Sequence, residues 1–143
     1  MLISTKGRYA LRVMIDLAEH RTDEFISLKG IAQRQEISDK YLESIIRMLV
    51  KARVLESLRG KGGGYRLKKG PEAYTVGSIL RLTEDSLAPV SCLEEGADAC
   101  PKQAKCRTLP LWKGLDKVIR EYLDNITIAD LMEQAEAGDD YVI

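Results

Sequence analysis

The chain has 143 residues, 45% hydrophobic and 31% charged, with 22 Lys+Arg balancing 22 Asp+Glu. This is enough for one domain plus an extension, and no apolar run approaches the length of a membrane span. The charge is segregated: residues 1–71 hold 15 Lys+Arg against 8 Asp+Glu, a balance of +7, and residues 72–143 hold 7 against 14, a balance of −7. A basic front half suits contact with a polyanion.

Lys6, Arg8, Arg12 and Asp16 interrupt the N-terminus, so no secretory signal is evident. The three cysteines are an odd number gathered in one segment. Together these features favour a reducing cytoplasm over a disulfide scaffold.

Residues 5–19 place Ala10, Val13, Met14, Leu17 and Ala18 on one helical face, with Ser4 or Thr5 as cap. Residues 27–35 predict a short second helix capped by Ser27, with Leu28, Ile31 and Ala32 inward. After a break at Glu36–Ile37, Ser38 caps a third helix whose inward positions are Leu42, Ile45, Ile46, Leu49 and Val50. Two helices joined by a tight turn form a helix-turn-helix. The runs "VLESL" and "YRLKK" flank "RGKGGG", which predicts a two-stranded hairpin. Helix, turn, helix and basic hairpin make a winged helix.

On the third helix Lys40, Glu43, Ser44, Arg47 and Lys51 recur every three to four residues as one outward stripe. Such a helix fits the major groove of double-stranded DNA. The wing offers Arg59, Lys61 and Arg66 for the minor groove, where arginine is drawn by negative potential. The glycine run lacks the Lys-Ser/Thr pair and following helix of a nucleotide-binding loop. Glu43 has the wrong charge for a phosphate-rich groove unless it meets a cytosine amino group or serves another purpose.

Gly70-Pro71 punctuates the chain, and Thr75 caps a helix over residues 76–84. Residues 85–109 show no helical or strand period and carry all three cysteines, Cys92, Cys100 and Cys106. Loops this long usually carry function or are disordered. After Pro110, Trp112, Leu115, Val118, Ile119, Tyr122 and Leu123 form a wide apolar face with little left to pack against in one chain. A second copy is the simplest cover, giving a homodimer on a pseudo-palindromic operator; packing onto the first helix is the alternative. Thr127 caps a last short helix, and residues 133–143 are expected to be a flexible tail.

The expected organisation is therefore mainly α. A winged helix-turn-helix DNA-binding domain (1–84) is followed by a cysteine-bearing loop (85–109), a long dimerisation helix with a short packing helix (110–132), and the tail. No Ser/His/Asp or Cys/His constellation occurs, and the single His20 sits at a helix end, so no enzyme is expected.

The spacing Cys-x7-Cys-x5-Cys is not the usual structural zinc pattern. Thiolates in a pliable loop can still converge on a metal, and Lys102, Lys105 and Arg107 favour the thiolate form. From the residues alone, a metal site and three unligated cysteines are equally good readings.

The stretches "MLISTKGRYAL", "SLKGIAQRQEIS", "KYLESII", "RGKGGGYRL" and "YLDNITIADL" resemble the Rrf-type bacterial winged-helix transcription regulators, the family that includes IscR and CymR. The resemblance runs from Met1 to about Met132. It implies a dimeric DNA-binding regulator. Among the IscR-like members it implies a [2Fe–2S] cluster, here at Cys92, Cys100 and Cys106, governing cluster-assembly or related genes.

IscR-type chains carry a histidine ligand shortly after the third cysteine, where this chain has Leu109. Leucine cannot ligate. The fourth position falls to water, a small thiol, or one of Glu94, Glu95, Asp98, His20 and Glu43, and Glu43 is favoured because its charge is wrong for its place on the third helix unless something uses it. The competing expectations are sensing by zinc or thiol oxidation, CymR-like control of cysteine metabolism through a partner protein, and a winged helix used only to bind protein.

Overall fold

The computed structural model describes residues 2–139. Helix α1 (Thr5–Glu19) is the central strut. Its cap is Ser4, whose Oγ accepts from the Gly7 N–H at 3.0 Å. Ala10, Val13, Met14 and Leu17 are fully buried along one face, against α2 (Leu28–Gln35) and α3 (Asp39–Lys51) on one side and the later helices on the other. Val13, Met14 and Leu17 each contribute about 1.5–3 kcal/mol on leaving water. Ile31, Leu42, Ile45, Ile46 and Leu49 complete the helical core.

The turn between α2 and α3 is set by Glu36, which adopts left-handed backbone angles (φ 54°). A non-glycine residue there costs about 1–2 kcal/mol, and the turn is braced by Arg12. The Arg12 Nε donates to Gln35 Oε1 at 3.1 Å, and its Nη2 donates to the Gln35 carbonyl.

Below this brace lies a buried charge. Asp16 is 1% exposed. Its carboxylate accepts from Arg34 Nη2 at 2.7 Å, Arg34 Nε at 3.0 Å and Gln35 Nε2 at 2.8 Å. The carboxylate's hydrogen bonds raise the Arg34 pKa further above its ordinary value. His20, at the end of α1, lies 2.8 Å from the Asp16 carbonyl through Nδ1.

Strands β1 (Leu55–Leu58) and β2 (Gly64–Leu67) form an antiparallel hairpin, Leu55 opposite Leu67 and Leu58 opposite Gly64. Gly60 and Gly62 take positive φ (90° and 76°) in the turn, as a tight hairpin requires. The structure adds a contact that alternation did not reveal: Ile26 exchanges two 2.8 Å backbone hydrogen bonds with Tyr65. Gly64 permits this, since a Cβ there would stand 2.1 Å from the Ile26 carbonyl oxygen.

Helix α4 (Val76–Thr83) follows a single 3-10 turn at Pro71–Ala73. A long irregular segment then leads to α5 (Leu109–Asp124). Helix α6 (Ile128–Asp139) returns to pack on α1. Its start is sewn to the start of α4 by Val76 N–H to Ile126 O (2.8 Å) and Ile128 N–H to Tyr74 O (2.9 Å). Ile128 is fully buried.

The expected tail is different in its first part: residues 133–139 continue α6, because Glu133, Gln134, Ala135, Glu136 and Ala137 are strong helix formers with no proline among them. Residues 140–143 lie outside the described residues. Among the described residues no helix is long and apolar enough to cross a membrane.

Asp16→Ala would strand the Arg34 guanidinium and the Gln35 amide beside an apolar core. Because Arg34 is partly solvated, the expected loss is about 3 kcal/mol of unfolding free energy, measured by urea denaturation.

Candidate nucleic-acid interface and cysteine hollow

Helix α3 is fixed on one face by its buried aliphatic residues, and its other face is turned to solvent. Ser38 caps it, accepting from the Tyr41 N–H at 3.2 Å. Lys40, Glu43, Arg47 and Lys51 are exposed along one side. Ser44 is half-buried, and its hydroxyl donates to the Tyr41 carbonyl at 2.7 Å, so the side chain is turned back on its own helix. Glu43 Oε1 lies 3.8 Å from Arg47 Nη2, with both side chains largely exposed. A surface pair at this spacing is worth a few tenths of a kcal/mol at most and parts readily. Tyr41 anchors the first turn edge-on to Tyr9 of α1, ring centroids 5.8 Å apart, and Arg12 covers the Tyr9 ring at 4.8 Å.

At the wing, Arg59 and Lys61 are exposed in the turn. Arg66 is not available as the sequence suggested. Its Nε donates to Glu56 Oε2 at 2.9 Å, its Nη1 to the Asp23 carbonyl at 2.8 Å, and its guanidinium sits 4.2 Å over the Phe25 ring. The reason is register: Arg66 stands directly opposite Glu56 in the hairpin, and the Ile26–Tyr65 bridge brings residues 23–25 alongside. Arg66 therefore ties the wing to the α1–α2 connection.

Residues 85–108 leave the end of α4 and reach α5 with only two single-turn 3-10 segments, Ser91–Leu93 and Gln103–Lys105. All three cysteines are free, Cys92 and Cys100 exposed and Cys106 half-buried. They line one hollow of about 270 Å³ together with Asp98, Gln103 and Leu109. Among the described residues, no group of three or more His, Cys, Asp or Glu stands close enough to share a metal ion.

The donor types fit a thiolate-held group: three cysteines, each a soft sulfur ligand when ionised, line one hollow in an irregular segment. Leu109 closes one wall of the hollow, and Asp98 is its carboxylate. Glu43, on α3, does not line it, and neither does His20, held at the end of α1. The Thr108 hydroxyl, 3.5 Å from Cys106 Sγ, lowers the Cys106 pKa, helped by hydrogen bonds from the Thr108 and Leu109 backbone.

Helix α5 packs on α4, not on α1. The clasp is a bidentate pair, Arg81 Nη1 and Nη2 to Asp124 Oδ1 and Oδ2 at 2.6 and 2.9 Å. This pair lowers the Asp124 pKa and raises that of Arg81. The apolar residues of α5 divide. Trp112, Ile119 and Leu123 are half-buried, while Leu111, Leu115, Val118 and Tyr122 are 60%, 40%, 61% and 65% exposed. The exposed four fall at i, i+4, i+7 and i+11, one continuous stripe.

Comparison with known proteins places this architecture. The family described as "Rrf2: Iron-dependent Transcriptional regulator" matches residues 3–134. The protein named rrf2 of Nitratidesulfovibrio vulgaris is 42% identical over 135 residues, covering 94% of this chain and 89% of its own. The solved structure of CymR, the global cysteine regulator of B. subtilis, superposes with a TM-score of 0.76 at 38% identity, covering 94% of this chain and 98% of that one. The T. potens IscR structure gives 0.74 at 36% identity, covering 100% of this chain and 94% of that one.

The Thr108–Cys106 contact has a direct consequence in the reduced, metal-free protein. Because the Cys106 pKa is lowered, its thiolate is present below the usual thiol range of about 8.5, so iodoacetamide labelling of Cys106 is expected to rise at lower pH than for an ordinary thiol. Thr108→Ala should shift that labelling midpoint upward, read by peptide mass spectrometry across a pH series.

Proposed function

The chain belongs to the Rrf2 family of winged-helix transcriptional regulators, DNA-binding proteins rather than enzymes, and on that premise we propose that it is a cytoplasmic homodimer that senses iron–sulfur status through a [2Fe–2S] cluster. The observation that carries the proposal is that all three cysteines line one hollow in the segment of chain that joins α4 to α5. The controlled genes would be those of cluster assembly or related pathways.

Two α5 helices, meeting through Leu111, Leu115, Val118 and Tyr122, would cover the exposed stripe. Gly114 on that helix has open space around its Cβ position, which leaves room for a second helix to approach. The dimer presents two α3 helices to a pseudo-palindromic operator. Lys40, Arg47 and Lys51, flanked by Ser44, enter the major groove. Arg59 and Lys61 on the wing tip follow the minor groove and its phosphates, with Arg66 holding the wing's base in position.

Cys92, Cys100 and Cys106 would hold the cluster, with Cys106 most readily supplied as thiolate. When bound, such a cluster supplies a redox- and iron-sensitive centre that ties the loop into one arrangement. Glu43 is the proposed fourth ligand. Because it does not line its own chain's hollow, it would be supplied by the second copy of a dimer. Its weak pair with Arg47 leaves it free to exchange, and a hard carboxylate among thiolates dissociates readily, as a sensor requires.

A second reading is favoured by Leu109, which stands where IscR-type chains carry a histidine ligand, and by the likeness to CymR. In it the same thiols bind zinc or undergo oxidation, or control is exerted through a partner protein.

Anaerobic purification with iron and sulfide analysis separates the readings. The proposal expects a coloured protein with iron and sulfide in equal amounts, and a colourless protein with zinc or neither overturns it. Glu43→Ala is expected to change the visible spectrum of the loaded protein without changing its folding. An unchanged spectrum there, with a change in Asp98→Ala, would move the fourth ligand into the hollow itself.

The DNA contacts are tested by salt dependence on an operator selected from a random duplex library. Affinity should fall steeply with salt, and Arg59→Ala should reduce the log–log slope by about 2, roughly one phosphate per protomer. Arg47→Ala should cost about 1–3 kcal/mol per half-site if it reads a base edge. A flat salt dependence would count against DNA reading by these residues.

A further inference from the structure

We propose that Glu84 is the positioning residue that couples the cysteine loop to the DNA-reading surface, a role that rests on the sensing function proposed above. Glu84 is the C-cap of α4, its N–H donating to the Leu80 carbonyl at 2.9 Å, and it is the last residue before the cysteine-bearing segment. Its carboxylate accepts the Ser4 backbone N–H at 2.6 Å. Ser4 is the N-cap of α1. The contact joins residues 80 positions apart, and it ties the point where the loop departs to the point where the central helix begins.

The approach is possible only because residue 7 has no side chain. A Cβ on Gly7 would stand 2.6 Å from Glu84 Oε1, with Thr83 Oγ1 at 3.0 Å and Leu80 Cδ2 at 3.2 Å. Gly7 sits inside the first turns of a long helix, where glycine is unfavourable relative to alanine. The missing side chain leaves the space through which the Glu84 carboxylate passes.

From Ser4 the path is rigid. α1 is one uninterrupted helix whose inner face is fully buried. Its second half carries Arg12 and Asp16, which hold Gln35 and Arg34 at the end of α2. The α2–α3 turn follows at once, and with it the reading helix. A displacement of the loop's root at Glu84 therefore acts on α1 at its cap, and α1 delivers it to the turn that orients α3. Glu84 lines neither the cysteine hollow nor the exposed face of α3, so its effect on DNA is through position alone.

The experiment uses the full chain, prepared anaerobically with its cluster and again after cluster removal, and reads the ratio of operator affinities of the two forms. Couplings of this kind typically span about 5–150-fold. In Glu84→Ala the ratio is expected to fall to within about twofold of unity, with iron and sulfide content and dimerisation unchanged. Gly7→Ala, which displaces the same carboxylate from the opposite side while favouring the helix, should do likewise, and it decides the matter if Glu84→Ala fails to fold. Glu84→Gln, whose amide oxygen can still accept from Ser4, should retain most of the ratio. A full ratio in Glu84→Ala or in Gly7→Ala overturns the proposal while leaving the sensing function standing. A wild-type protein that binds its cluster but shows a ratio of one overturns the coupling, and one that binds no cluster overturns the sensing function beneath it.

Discussion

The architecture depends on one buried carboxylate. Asp16 sits within an otherwise aliphatic stripe of α1, almost wholly removed from water. Leaving it uncompensated would be far more costly than any single apolar contact in this core is favourable. It is compensated by a forked pair with Arg34 and by the Gln35 amide, all from the last turn of α2. Because a guanidinium meets a carboxylate in few orientations, this arrangement fixes how α2 crosses α1. Arg12 then grips the next peptide, where Glu36 bends the chain through left-handed angles toward α3. The placement of α3 is thus inherited from a polar joint, with its aliphatic side chains filling the space that the joint defines.

The molecule divides into a rigid part and an open part by the same physics. Residues from α1 to α4 share a continuous core, closed off by Ile128 from α6. Between α4 and α6 the chain makes an excursion in which no residue of α5 is buried and both 3-10 turns lie at the surface. The excursion is held to the body by polar contacts at its ends: Glu84 to Ser4 at its root, Arg81 to Asp124 along α5, and the backbone bridges around Thr75 and Thr127 where it returns. Polar contacts at or near the surface part more readily than a packed core. A segment attached in this way can change its arrangement without unfolding the domain, which suits a sensing element joined to a DNA reader.

Much of this was legible in the sequence, for reasons specific to each element. The helices of the front half announce themselves because serine caps at Ser4, Ser27 and Ser38 precede apolar residues at helical spacing, and the structure uses each of those serines as a cap. The wing is legible because its glycines can serve only a tight turn. The stripe on α5 is legible because a wide apolar face followed an already complete core. Less legible were contacts made across the chain. Arg66 looks like a free cation in sequence because Glu56 and Phe25 are distant in number and adjacent only after the hairpin forms. The wing's third partner at Ile26 is a single bridge, too short to leave an alternation pattern. The continuation of α6 past Met132 was obscured by a polar composition that serves helix and tail equally well.

The sequence alone thus determined the order and type of the elements, the exposed polar stripe of α3, and the gathering of every cysteine into one segment. These are properties of local periodicity, capping and composition, which neighbouring residues dictate among themselves. Only the tertiary structure decided that the three thiols share a hollow walled by Leu109, that Glu43 stands apart from it, and that the loop's root at Glu84 is bound to the cap of α1. Those facts depend on distances between residues far apart in the chain. Such distances are fixed only when the buried faces of the helices, and the charge at Asp16, have found their partners.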